Sequence, residues 1–231
     1  MRIIAVANQK GGVGKTTTSV NLCASLQMSG STCLLVDLDP QGNATMGSGI
    51  DKHSIEASSH EWLEGTAAID VVWRKTPAGF RVIPSNTDLT AAEIMLLRAE
   101  DRTSRLSARL APVRETFDYV IIDCPPSLNV LTLNALFAAT GVLIPMQCEY
   151  YALEGLTALL ETIEGVRESG NESLQIEGLL RTMYDPRSSL TREVSRQLIQ
   201  HFGDRVFRTV IPRNIRLAEA PSHGLPAILY D

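Results

Sequence analysis

The sequence predicts an α/β fold: a doubly wound, mostly parallel twisted sheet flanked by helices. Three observations carry that prediction. Short β-rich apolar runs alternate with stretches of helical pattern along the chain. Several runs are apolar almost without interruption, as strands covered on both faces require. Helical patterns separate consecutive runs, and repeated strand–helix–strand units wind right-handed into a parallel sheet.

Residues 3–8 give the first strand; the run is apolar but short and passes straight into glycines, so it reads as a strand and not a signal peptide. A helix over 16–29 follows, with Gly30 where helix C-termini favour glycine. Residues 33–37 form the second strand. The stretch 47–75 is irregular and mixed in polarity, and is expected to be a mobile excursion. Then come a strand at 80–84, helices at 90–98 and 102–114, and the strongest apolar strand at 119–123. A helix at 130–139, a strand at 141–146 and a helix at 153–168 follow, the last closed near Gly170. A strand at 176–183, a helix at 190–202 and a strand at 207–211 complete the pattern. No linker, repeat or low-complexity block divides it, so residues 1–231 are expected to form one domain.

With 44% apolar and 20% charged residues in 231, the chain can bury a sizeable core. No apolar run approaches the roughly 20 residues that span a bilayer. Cys23, Cys33, Cys124 and Cys148 are scattered without metal-ligand spacing, which suits reduced packing cysteines and a cytoplasmic protein. The net charge of −5 argues against a general polyanion coat. Residues 181–216, however, hold eight arginines against three acids, a local +5 that leaves −10 for the remainder. Such asymmetry can mark a face that meets polyanions or simply a solvated face.

The chemistry concentrates in the loop Lys10-Gly11-Gly12-Val13-Gly14-Lys15-Thr16-Thr17, which follows a strand and opens a helix. Glycines let backbone amides turn inward around phosphate, and the helix N-terminus adds partial positive charge. Lys15 is placed to reach β- and γ-phosphates, the Thr16 hydroxyl to ligate Mg²⁺, and Thr17 to touch the α-phosphate. The first glycine of the usual phosphate-loop pattern is replaced by Gln9, and Lys10 follows it.

Lys-Gly-Gly-x-x-Lys-Thr is the deviant Walker A motif, and the chain resembles the ParA/Soj-type partition ATPases, P-loop proteins related to MinD. The likeness rests on four further stretches. They are Asp37-Leu38-Asp39-Pro40-Gln41-Gly42-Asn43, Ile122-Asp123-Cys124-Pro125-Pro126-Ser127, the run from Gln147 to Gly155, and the run from Ile211 to Ser222. The resemblance implies an ATP- and Mg²⁺-dependent hydrolase that closes as a homodimer around ATP. Lys10 would cross the interface to the partner's phosphates, as an arginine finger does; otherwise it is a solvated loop cation. Asp39 would polarise the attacking water, Asp37 would support Mg²⁺ through water, and Asp123 would be the Walker B aspartate near the metal. Each of the three could instead serve a turn or a helix cap. Pro125-Pro126-Ser127 would sense the γ-phosphate. No His or Asp partner for Cys124 is evident, so it reads as packing.

By the same resemblance, adenosine lies near Met183, Pro212 and Asn214, with Asn214 able to pair with the adenine edge. Glu149 matches a position that can reach ribose across the dimer. The family binds DNA without sequence preference as the ATP dimer, and Arg187 and Arg216 are the expected backbone contacts, with Arg213 serving either DNA or the nucleotide. The implied partner is a ParB/Spo0J-type centromere-binding protein that stimulates hydrolysis, with the chain cytoplasmic and nucleoid-associated. Relatives usually continue past Tyr230 and Asp231 into a final helix, so the domain is expected to lack that helix. Without an amphipathic membrane helix, a MinD-like membrane role is disfavoured. A positioning ATPase for another cargo, an iron–sulfur reductase and a non-hydrolysing nucleotide-gated scaffold are the remaining alternatives.

Overall fold

The computed structural model describes residues 1–150 and 152–230. Tyr151 and Asp231, each inside a stretch quoted above, lie outside the described residues. One sheet of eight strands forms among the described residues: β1 (Arg2–Val6), β2 (Cys33–Asp37), β3 (Arg74–Lys75), β4 (Arg81–Ile83), β5 (Tyr119–Asp123), β6 (Gly141–Gln147), β7 (Gln175–Tyr184) and β8 (Val206–Pro212). Their order is β3-β4-β2-β5-β1-β6-β7-β8. Every pairing is parallel except the short β3–β4 contact at one edge. The helices are α1 (Lys15–Met28), α2 (Asn43–Gly47), α3 (Ser59–Glu64), α4 (Ile69–Val72), α5 (Leu89–Arg98), α6 (Arg105–Leu110), α7 (Val130–Ala138), α8 (Ala152–Glu168), α9 (Ser189–Phe202), α10 (Ile215–Glu219) and α11 (Ala227–Tyr230).

Side chains alternate across a strand, and the central strands are apolar on both sides because both sides are buried. Ile3, Ala5, Leu34, Val36, Val120 and Ile122 join the larger core, with residues of α3 and α5–α9. Ile4, Val6, Cys33, Leu35 and Ile121 join the smaller core, against Val20, Cys23 and Ala24 of α1. Cys23 and Cys33 are free and buried there, their sulfurs 3.1 Å apart. On this side Leu143, Leu180, Phe207 and Ile211 line an apolar groove of about 500 Å³ beside α1.

Two expectations need correction. The helix expected over 102–114 is shorter: it ends at Leu110 and passes into a 3₁₀ turn, Ala111–Val113. Pro112 cannot continue the α-helical hydrogen-bond ladder. The stretch 47–75 is no loose excursion. Trp62 is 2% exposed and Leu63 fully buried, both in the larger core. Ser58 starts α3 with a capping box: its side chain accepts from the His60 amide, and the Glu61 carboxylate accepts from the Ser58 amide at 2.7 Å. That Ser-x-x-Glu signal was present in the sequence, hidden within a run too short to show a period.

This packing predicts that Trp62→Ala lowers stability by about 3–5 kcal/mol, because a filled core position is emptied. Urea unfolding measures it; an unchanged midpoint would mean that the stretch is only draped on the core.

Candidate functional site

β1 lies between β5 and β6, with β2 beyond β5, so the connections diverge to either side of it. The crevice at the strands' carboxyl ends is where such sheets bind ligands. The glycine loop enters there under restraint. Asn8 donates to the Pro145 carbonyl at 2.8 Å and accepts from the Lys10 amide at 3.0 Å. Gly12 (φ 73) and Gly14 (φ 89) adopt the left-handed conformation that a side chain would strain. Gly14 is the N-cap of α1, with no side-chain cap and no acid in the first turn. The leading amides are therefore left for an anion. Lys15 is buried, which lowers its pKa against the pull of Asp123, and its Nζ donates to the Lys10 carbonyl at 3.1 Å. Gly11, Gly12, Gly14, Lys15, Thr16 and Thr17 line a cleft of about 330 Å³, opposite Asp39, Gln41 and Asn43.

Asp37 and Asp123 end β2 and β5 in direct register, and both are fully buried. Asp123 accepts from Thr16 and Ser19 hydroxyls, each at 2.8 Å. Asp37 accepts from the Thr45 amide and hydroxyl at 2.8 and 2.7 Å and from the Asp39 amide at 3.1 Å. Burial pushes Asp123 up to about 7, aided by the charge of Asp37, and pushes Asp37 up to about 6. Two buried carboxylates side by side are what a divalent cation would relieve. No cluster of three or more His, Cys, Asp or Glu side chains suits a metal among the described residues. The donor set still fits Mg²⁺, which keeps waters and phosphate oxygens and needs few protein ligands. Thr16 gives its proton to Asp123, leaving hydroxyl lone pairs for a metal. Asp39, 8% exposed, accepts from the Gln41 amide at 2.9 Å and lines the cleft. Burial pushes the Cys124 thiol far up, in keeping with a packing role.

Gly14, Thr17, Met183, Pro212, Arg213 and Asn214 help to line a neighbouring cleft of about 180 Å³. Asn214 caps α10: its Oδ1 accepts from the Arg216 amide at 2.7 Å. Its carbonyl oxygen is thus engaged, and the expected two-sided adenine contact is not pre-formed. Val13 is 1% exposed and packs under the loop. Lys10 and Glu149 are both absent from the clefts' linings and pair with each other, Nζ to Oε2 at 2.5 Å. The sequence reading missed Ser19, Thr45, Thr182 and Gln41. Ser19 was findable, since three residues after Thr16 on a helix is the same face.

The arginine segment divides. Arg181 is interior, donating to Ser195 and to the carbonyls of Phe207 and Arg208, so it ties α9 to β8. Arg187 is exposed and makes a two-pronged contact with Asp185 at 3.0 Å. That hydrogen bond, with smaller help from the charge of Arg213, holds Asp185 below the usual carboxylate range. Arg187 and Arg213 therefore share one patch. Arg216 lies 3.6 Å from Glu219. No helix among the described residues is long and apolar enough to cross a membrane.

Residues 1–176 match the AAA domain family. The sporulation initiation inhibitor protein Soj of Bacillus subtilis is 53% identical over 231 residues, covering 100% of this chain and 91% of that protein. The chromosome partitioning protein ParA of Caulobacter vibrioides is 49% identical over 234 residues, covering 100% of this chain and 88% of that protein. A solved structure of cobyrinic acid a,c-diamide synthase from Mycobacterium smegmatis, with bound ADP and magnesium, matches with a TM-score of 0.89 at 42% identity. That match covers 100% of this chain and 91% of the other.

If the loop is a nucleotide site, ADP at about 100 times its Kd stabilises the protein by about 2.7 kcal/mol. Thermal melting should then rise by about 5–10 °C at this chain length. Lys15→Ala should abolish that rise; an undiminished rise would contradict the assignment of Lys15.

Proposed function

The chain belongs to the ParA/Soj family of chromosome-partitioning ATPases, and on that premise we propose that ATP closes it into a dimer through Lys10. The observation that carries this reading is the division of labour between the two lysines. Lys15 lines its own phosphate cleft, whereas Lys10 does not and instead pairs with Glu149 at the surface. A cation five residues away that avoids its own site is available to another's. The Lys10–Glu149 pair is partly exposed on both sides, and such pairs contribute little, about 0–1 kcal/mol. Exchanging the carboxylate for a partner's phosphates is therefore inexpensive.

The proposed chemistry is hydrolysis of ATP by positioning and charge. Lys15 leaves the Lys10 carbonyl for the phosphate oxygens, and the amides of Gly12 and Gly14 receive the remaining charge. Thr16 would hold Mg²⁺, with Asp123 orienting its hydroxyl and Asp37 supporting the metal. The metal, when bound, neutralises charge on the phosphate oxygens. Asp39 has one oxygen on the Gln41 amide and the other to orient the attacking water. The base would occupy the neighbouring cleft that Met183, Pro212 and Asn214 help to line.

DNA is proposed as the polyanion for Arg187, Arg213 and Arg216. Asp185 and Glu219 neutralise this patch in the single chain. Phosphates must displace them, which favours the doubled contact of a dimer over a monomer. A ParB-type partner that stimulates hydrolysis would reset the cycle, with the chain on the nucleoid in the cytoplasm.

Two measurements check this reading. Asp39→Ala with Mg-ATP should sediment as a dimer and Asp39→Ala/Lys10→Ala as a monomer; a dimer in both would remove Lys10 from the interface. Arg187→Glu should weaken DNA retention by about tenfold or more and flatten its salt dependence, while leaving DNA-free ATP turnover intact. Unchanged retention at several salt concentrations would place the DNA face elsewhere.

A further inference from the structure

We propose that Thr182 is the positioning residue that decides which way the phosphate loop presents its backbone. The inference rests on the nucleotide reading above. Thr182, near the end of β7, is 4% exposed, and its Oγ1 donates to the Val13 carbonyl at 2.7 Å across 169 residues of sequence. The first ladder bond of α1 runs from the Thr18 amide to the Gly14 carbonyl, so the Val13 carbonyl precedes the helix ladder. A planar trans peptide points its C=O and N–H in opposite directions, and the chain contains no cis peptide bond among the described residues. Drawing the Val13 carbonyl toward β7 therefore turns the Gly14 N–H away from Thr182; Gly14 lines the phosphate cleft, and on this proposal its N–H serves that cleft.

That orientation needs a lock. Gly14 follows the peptide with φ 89, and Gly12 lies one residue before Val13 with φ 73. Glycines tolerate both signs of φ, so the intervening peptides can flip at small conformational cost. A flipped peptide would show phosphate a carbonyl oxygen, which repels it, in place of a donor. The Thr182 hydroxyl favours the donor.

The end of β7 is held firmly enough to serve as the lock. Met183, the next residue, has φ 47, the only positive value outside glycine among the described residues. A non-glycine residue stays there only when its surroundings determine the geometry. Met183 lines both the phosphate cleft and the neighbouring cleft, so β7 reaches both halves of the site.

The test compares Thr182→Val, which keeps shape and loses the hydroxyl, with Thr182→Ser, which keeps the hydroxyl. Fluorescent ADP, ATP and adenosine are titrated against both and against the unsubstituted chain. Thr182→Val should weaken ADP and ATP about tenfold, the scale of a lost hydrogen bond serving a charged group. Adenosine binding should change less than about threefold, and Thr182→Ser should keep ADP within about threefold. Unchanged ADP affinity in Thr182→Val, or an equal loss for adenosine, would overturn the proposal. So would a tenfold loss in Thr182→Ser, which carries the test alone if the valine variant does not fold. An unsubstituted chain that binds no ADP would instead overturn the nucleotide reading itself.

Discussion

Two carboxylates placed side by side in the protein interior set the terms for this site. Asp37 and Asp123 share a register at the carboxyl ends of β2 and β5 and are sealed from water. Burial raises both, with the charge of Asp37 adding to the rise of Asp123 and that of Asp39 adding to the rise of Asp37, and the surrounding sequence answers with donors: Thr16 and Ser19 for Asp123, Thr45 and the Asp39 amide for Asp37. These bonds fasten α1 and α2 to the sheet. Lys15 stands near this centre, and burial discourages it from ionising.

The second lysine follows the same logic one layer out. Lys10 starts the loop, yet its charge is spent on Glu149 at the rim. On the proposed reading the inner cluster serves one nucleotide within one subunit, and the outer pair, partly exposed on both sides, is the one to exchange. Under that proposal, fuel is coupled to assembly through the exchange of surface ion pairs. The arginine patch repeats the device, with Asp185 on Arg187 and Glu219 near Arg216.

Much of this was legible in the sequence because it depends on local pattern. Glycines at 12 and 14 must take left-handed backbone, and Asp37 and Asp123 stand where apolar strands stop. What was not legible depends on distant partners. Ser19 and Thr182 are ordinary residues until the fold brings Asp123 and Val13 to them, 104 and 169 residues away. Trp62 was hidden in short helices that show no period. Arg181 was counted with a surface patch, since charge alone does not say which arginines the sheet encloses. Asn214 was expected to read the base; that its oxygen also caps α10 depends on a local partner that its residue type does not reveal.

The claim that Lys10 acts on its neighbour's nucleotide is tested most directly by mixing Lys10→Ala chains with Asp39→Ala chains and measuring ATP turnover. Neither variant alone holds a complete site. In a mixed dimer the first supplies a cleft with Asp39 and the second supplies Lys10. Each mixed dimer then holds one working site of two, so the mixture turns over ATP faster than either variant alone. A mixture no more active than its parts would contradict the account, because a lysine serving its own subunit gains nothing from the exchange.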